Sequence, residues 1–232
     1  MKKLLLAVLI PVFLLAGNIL EEIDKNLNPT SFEAYKKLIN IEPDGSKKEF
    51  LMWMIKKNKD KIATLFLKPA TDNGRVMLRL GDNMWLYIPG IAKPLRIASA
   101  QSVTGGVFNN SDIMRVDYAV EYKVKKQEGD LLYLKARNED VAYEKIIMKI
   151  DLKRKLPLKL DCYAGGILIK TIEYGKITDF GNGIVRPAVM MTTSPLQKGY
   201  KSIMVWAKIK PRKLKDEYFT LEFMPHLNEI RK

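Results

Sequence analysis

The chain has 232 residues and 26.6 kDa, 47% of them hydrophobic and 28% charged, which allows a sizeable core and excludes collagen-like, low-complexity and largely disordered readings. Forty Lys and Arg against 26 Asp and Glu give a formal charge of +14. One Cys and one His leave too little material for a zinc site or a Ser-His pair, so neither a metal nor a cofactor is expected.

Met1, Lys2 and Lys3 form a basic start, and residues 4–15 are apolar apart from Pro11. That run is shorter than the roughly 20 residues that span a bilayer, and the small residues Ala16 and Gly17 follow it. The pattern predicts a signal peptide over residues 1–17, cleaved near Ala16, and one exported β-rich domain over residues 18–232. An uncleaved N-terminal anchor is the alternative. The sole cysteine is Cys162, so no thiol stands just after the leader for lipid attachment. Removing Lys2 and Lys3 lowers the charge by two, to +12. In an exported protein that balance points to anionic membrane surfaces or acidic partners and away from nucleic acid.

After the leader, Ile19, Leu20, Ile23 and Leu27 have the spacing of a short amphipathic helix, with Glu21, Glu22 and Asp24 expected on its outer side and Pro29 ending it. Beyond it, apolar or β-branched runs alternate with the turn signals Pro43-Asp44-Gly45, Asn73-Gly74, Gly81-Asp82-Asn83, Glu128-Gly129-Asp130, Gly165-Gly166 and Gly181-Asn182-Gly183. Residues 50–55 and 62–67 are apolar on both faces, so they need cover on both sides or a lipid-like ligand on one. A period of two predicts one-sided strands over Tyr118, Val120, Tyr122 and Val124, over Ile146, Met148 and Ile150, and over Leu156, Leu158, Leu160 and Cys162. A second helix or short helical turn is expected between residues 99 and 113. So much sheet with so little helix must stack, close on itself or hold a cavity.

Catalytic chemistry is thin. His226 lacks a partner histidine, Cys162 falls on the dry face of its strand, and Gly105-Gly106 lacks the surroundings of a nucleotide-binding loop. What remains is adaptable apolar surface, with ten methionines besides Met1. Combined with two-sided apolar strands and export, this favours a carrier of acyl chains over an enzyme.

The run Gly81-Asp82-Asn83-Met84-Trp85-Leu86-Tyr87-Ile88-Pro89, followed by Lys93, Arg96 and Ile97, resembles the signature of the outer-membrane lipoprotein-sorting proteins, the LolA-like family. Phe108-Asn109-Asn110-Ser111-Asp112-Ile113, ending at Asp117, resembles a second stretch of that family, with Asn110 in place of a Gly, Ile113 in place of an aromatic, and Arg115-Val116 in place of Tyr-Glu. Leu156-Pro157-Leu158-Lys159-Leu160 and residues 183–187 resemble two further segments, in the same order. The resemblance implies a mainly β fold: a strongly curved antiparallel sheet that stays unclosed, with a short N-terminal helix and a helical or loop lid over its concave face. It also implies a periplasmic, non-enzymatic carrier of the acyl chains of lipoproteins or lipids, with an inner-membrane transporter and an outer-membrane acceptor as partners. An accessory lipid-binding protein of a membrane transporter is the nearest alternative, and an exported hydrolase using carboxylates is the rival from another class.

The candidate lipid-binding residues are Met52, Trp53, Met54, Phe66, Leu78, Trp85, Tyr87, Met204 and Trp206. Arg96, Phe108 and Asp112 are the candidates for the lid or rim. Arg96 would hold the lid or a ligand carbonyl, or form a rim ion pair. Asp112 would cap the following turn.

Overall fold

The computed structural model describes residues 16–231, with side chains from Ile19 onward. Residues 1–15 of the expected leader lie outside the described part, and its last two, Ala16 and Gly17, begin helix α1 (Ala16–Leu27). Among the described residues no helix is long and apolar enough to cross a membrane.

The strands are β1 (Ser31–Ile41), β2 (Lys47–Lys57), β3 (Lys61–Lys68), β4 (Val76–Leu80), β5 (Asn83–Tyr87), β6 (Leu95–Ile97), β7 (Tyr122–Glu128), β8 (Leu131–Ala136), β9 (Lys145–Asp151), β10 (Leu156–Ala164), β11 (Ile167–Asp179), β12 (Val185–Thr193) and β13 (Lys201–Pro211). All pair antiparallel in one sheet of order β6-β5-β4-β3-β2-β1-β13-β12-β11-β10-β9-β8-β7. The two ends of the sheet, β6 and β7, do not pair with each other, so the barrel stays open. The six turn signals all fall where one strand passes to the next, with Asn83 opening β5 and Glu128 closing β7. β1 and β13 meet in the middle, Leu38 opposite Met204, although 166 positions separate them in the chain.

The connection from β6 to β7 is the longest. It crosses from one edge of the sheet to the other over the concave face and contains two short helices, α2 (Asn110–Ile113) and α3 (Tyr118–Glu121). Together with α1 it forms the lid. The strand expected from Tyr118 therefore begins only at Tyr122. The carboxylate of Asp24 accepts hydrogen bonds from the backbone N–H groups of Tyr118 (2.7 Å) and Ala119 (2.9 Å), satisfying the orphan donors of a helical turn there. Asp24 is thus buried between α1 and α3 instead of lying on the outer side of α1. A bulge between Pro157 and Lys159 likewise turns Leu158 out to solvent, against the simple alternation.

The strands that are apolar on both faces are covered on both. The concave core joins Ile19, Ile23 and Leu27 of α1 and Phe108, Ile113 and Met114 of the β6–β7 crossing to the inner faces of the strands. A separate core on the convex side packs Trp53, Ile55, Leu65, Val76 and Leu78 under Leu214, Phe219, Met224 and Leu227. Those covering residues belong to the C-terminal segment, which carries two 3-10 helices, Asp216–Phe219 and Met224–Ile230.

Candidate functional site

The concave face is the candidate site. Alternation along the strands sends Phe50, Met52 and Met54 of β2, Phe66 of β3, Met77 of β4, Met190 of β12 and Met204 of β13 into one continuous apolar interior. Trp206 of β13 joins them, its indole lying between two cations, with the Lys36 ammonium 5.0 Å and the Arg186 guanidinium 4.3 Å from the ring centroid. Of the expected lipid-facing residues, the structure brings Met52, Met54, Phe66, Met204 and Trp206 together here, along with Phe108 from the lid.

Trp53, Leu78, Trp85 and Tyr87 are a correction. They have the opposite parity on their strands and lie on the convex side, in or against the core under the C-terminal segment. Arg96 sits on the edge strand β6 and donates to the Asn83 side chain at 2.5 Å, a rim contact away from the lid. Asp112 does more than cap a turn. Asn109 accepts from the Asp112 backbone N–H at 2.9 Å, and the Asp112 carboxylate accepts from the Asn109 N–H at 3.2 Å, which closes a capping box around α2.

Asp112 is also one link in a buried ionic chain across the interior. Its Oδ2 accepts from Lys170 Nζ of β11 (2.7 Å) and from the Tyr143 hydroxyl (2.8 Å), and its Oδ1 from Arg115 (2.8 Å). Arg115 donates onward to Glu121 of α3 (2.8 Å), and Glu121 accepts from Arg79 of β4 (2.5 Å). Arg79 in turn donates to the Met114 carbonyl at 3.0 Å. Burial pushes the Asp112 carboxyl up, but the adjacent Lys170 and Arg115 cations outweigh this and hold it below the usual carboxylate range. The chain Lys170–Asp112–Arg115–Glu121–Arg79 ties the lid to both walls of the half-barrel.

Three more contacts fasten the lid. Lys36 Nζ donates to the Ile113 carbonyl at 2.6 Å, and burial followed by the nearby Arg186 cation brings its pKa down to about 7. Arg186 donates to the Leu27 carbonyl at 2.6 Å, holding the C-terminal end of α1. Asp24 bonds to α3 as described, and burial, then the neighbouring Asp117 carboxylate, push it up to about 7 against those two hydrogen bonds. Asp117 itself pairs with the buried Lys56. Asp24 and Asp117 border a cleft of about 680 Å³ that opens between the end of α1 and the β9–β10 and β11–β12 turns.

Most of these fastening residues were missed in the sequence, though a signal was present. Lys56, Arg79 and Lys170 each occupy an inward position among apolar inward residues, and Lys36 shares its inward face with Phe32, Ala34 and Leu38 as well as with Asn40. A long charged side chain at such a position must find a buried partner.

His226 is exposed, and its Nδ1 lies 2.8 Å from Glu229. Cys162 is buried in the concave core, and burial pushes its thiol well above the usual range. No cluster of three possible metal ligands occurs among the described residues.

A protein-family model described as "-like: Uncharacterized protein" matches residues 58–226, well over half of the chain. The chain belongs to that family. Its fold is that of the LolA superfamily. The structure of a LolA superfamily protein from Nitrosomonas europaea superposes with a TM-score of 0.80 at 24% identity, covering 90% of this chain and 98% of the other. A putative outer membrane lipoprotein-sorting protein domain from Vibrio parahaemolyticus gives 0.76 at 18% identity, with 90% and 98% covered. A DUF1329 family protein from Desulfovibrio piger gives 0.77 at 19% identity, with 90% and 97% covered. At these identities the likeness is one of fold. No curated protein matches the chain.

Proposed function

We propose that this protein is an exported, periplasmic carrier that takes acyl chains of lipoproteins or other lipids onto its concave face and catalyses no reaction. The observation that carries this reading is the pairing of a continuous, methionine-rich apolar face with a cover that is held by side-chain packing and buried polar contacts and adds no strand to the sheet. In the closed arrangement Ile23, Phe108, Ile113 and Met114 occupy the face. Acyl binding would exchange these side chains for the ligand's methylenes. Each buried methylene is worth about 0.8 kcal/mol, but the exchange re-exposes lid residues and breaks lid contacts, so the net affinity is modest, as release requires. Methionine suits such an exchange because its flexible chain fills either packing. The Vibrio structure's description as a lipoprotein-sorting domain agrees with this reading, and passage from an inner-membrane transporter to an outer-membrane acceptor is the route such a carrier would serve.

A carboxylate-based hydrolase is less well supported. Asp112 and Glu121 are each bonded to two cations, Asp117 is paired with Lys56, and Asp24 is engaged by two backbone donors.

The test is calorimetric titration of delipidated, folded protein with a long-chain fatty acid and with a diacylated lipopeptide. Saturable binding at about one site is expected. Failure of every acyl ligand to saturate, with the protein still folded, would remove the carrier reading. Export is tested separately by N-terminal sequencing of the protein from the soluble periplasmic fraction, which should begin within a few residues of Ala16.

A further inference from the structure

The outer face of β7 to β9 carries lysines in register. Lys123 of β7 stands opposite Lys135 of β8, and Lys135 opposite Lys145 of β9, with Tyr163 of β10 ending the row. Their chain neighbours Tyr122, Leu134 and Ile146 point into the concave core, so these lysines point away from it. Like charges placed directly opposite one another destabilise a sheet. Elsewhere the protein neutralises such a pair. Lys149 and Lys159 are also opposite each other, and they have Asp130 at 3.6 Å and Asp161 at 3.0 Å. Lys123, Lys135 and Lys145 have no acidic partner of this kind among the described residues, and Lys125 beside them has none either. Protection of a free edge accounts for lysines on β7, which ends the sheet. It does not account for Lys135 and Lys145, which lie on interior strands.

Aromatic rings are set among the charges. The Lys145 ammonium lies 4.0 Å from the Tyr163 ring centroid and the Lys126 ammonium 5.8 Å from that of Tyr133. Lys125, Tyr133, Lys135 and Lys145 line a shallow groove of about 350 Å³. Glu144 also borders the groove, but its carboxylate accepts the Gly166 backbone N–H at 2.7 Å, and Glu128 nearby is taken by Lys126. Lys123, Lys125, Lys135 and Lys145 thus outnumber the single Glu144 carboxylate, and the centre of the face keeps a net positive charge.

We propose that this face docks the protein on an anionic phospholipid surface, the lysine row lying over headgroup phosphates with Tyr133 and Tyr163 at headgroup depth. Three features favour a bilayer over an acidic protein. The cations are flexible lysines without the arginine forks that read individual carboxylates, the sheet face is open and offers no deep pocket for an anchor residue, and tyrosine belongs at membrane interfaces. The face also adjoins the β7 rim, where the lid connection rejoins the sheet, so docking brings the lid close to the membrane. This inference rests on the carrier reading for its purpose, while its physical basis and its test are separate.

The test is sedimentation of the protein with phosphatidylcholine vesicles that do or do not contain phosphatidylglycerol. It compares wild type with Lys123→Gln/Lys135→Gln/Lys145→Gln and with Lys176→Gln/Lys198→Gln/Lys201→Gln, an equal loss of exposed charge elsewhere. Each lysine near such a surface contributes about 1 kcal/mol, so the first variant should bind anionic vesicles on the order of a hundredfold more weakly and the second should lose far less. Thermal melting confirms that both variants are folded. Equal losses in the two variants would overturn the proposal, as would a ladder variant that keeps vesicle binding while losing binding to soluble polyglutamate. Fatty-acid affinity of the ladder variant, measured by calorimetry, should stay unchanged. If no form of the protein binds fatty acid while the vesicle pattern holds, only the carrier reading fails.

Discussion

Met52 and Trp53 are consecutive residues of β2, both fully buried, and they belong to different cores: Met52 faces the lid, while Trp53 faces the C-terminal segment. The same division separates the other two tryptophans. Trp206 borders the concave interior, and Trp85 packs on the convex side. An acyl ligand entering under the lid should therefore change the emission of Trp206 and leave the other two nearly silent. Titration of Trp206→Phe with a long-chain fatty acid should abolish most of the emission change, whereas Trp85→Phe should retain it. The reverse pattern would place the ligand on the wrong face. Met54→Asp, which puts a charge into the interior, should lower affinity at least tenfold even where calorimetric unfolding shows a folded protein.

The ionic chain through the lid predicts a specific cost. Asp112→Asn leaves Lys170 and Arg115 short of a buried counter-charge, and breaking one partner of a buried pair typically costs about 3–5 kcal/mol. Chemical denaturation should show a loss of that order. Adding Lys170→Met should recover part of it, because the second change removes one of the stranded charges.

Two lid contacts carry groups that titrate near neutrality, with opposite signs. Asp24 has a folded pKa of about 7 against an ordinary 3.8, so the folded state holds its proton more tightly. Its contribution to stability is fully present below pH 3.8 and is lost as pH rises to about 7. Lys36 has a folded pKa of about 7 against 10.5, so its contribution is present above pH 10.5 and is lost as pH falls to about 7. Together they place the weakest point of the closed form near pH 7. In wild-type minus variant comparisons of denaturant stability, Asp24→Asn should flatten the acid limb between pH 4 and 7. Lys36→Met should flatten the alkaline limb between pH 7 and 10.5. Each difference should amount to a few kcal/mol at most. Parallel curves for variant and wild type would contradict the assignment.

Gly106 fixes where the lid segment meets the sheet. Its φ is +69°, and a Cβ there would stand 2.3 Å from the Asn40 side-chain oxygen and 2.7 Å from the Ser202 hydroxyl. Those two groups are bonded to each other at 2.7 Å, and Ser202 accepts the Val107 N–H at 2.9 Å. Gly106→Ala must strain the backbone and displace this cluster, at a cost of roughly 1–3 kcal/mol. Hydrogen exchange should show faster opening around residues 104–108, while Gly105→Ala, whose Cβ meets nothing within 4 Å, should be the milder change.

The sequence alone determined the class of the fold. Period-two runs such as residues 146–150, six glycine-bearing turn signals and one amphipathic helix require an antiparallel, mainly β chain, and the two-sided apolar runs at 50–55 and 62–67 require cover on both faces or a lipid-like ligand on one, of which the structure shows the first. Alternation separates two faces but does not label them, which is why Trp85 and Tyr87 were legible as a pair while their side of the sheet was not. That label depends on which segment covers which face, and the convex cover comes from residues 214–230, more than a hundred positions beyond the strands it protects. The lid fastenings were hidden for a related reason. Arg79, Asp112 and Lys170 lie far apart in the chain, and only the closure of β1 on β13 and the crossing from β6 to β7 bring their charges within bonding distance. A charge at an apolar position announces that a partner exists, and long-range topology decides which one.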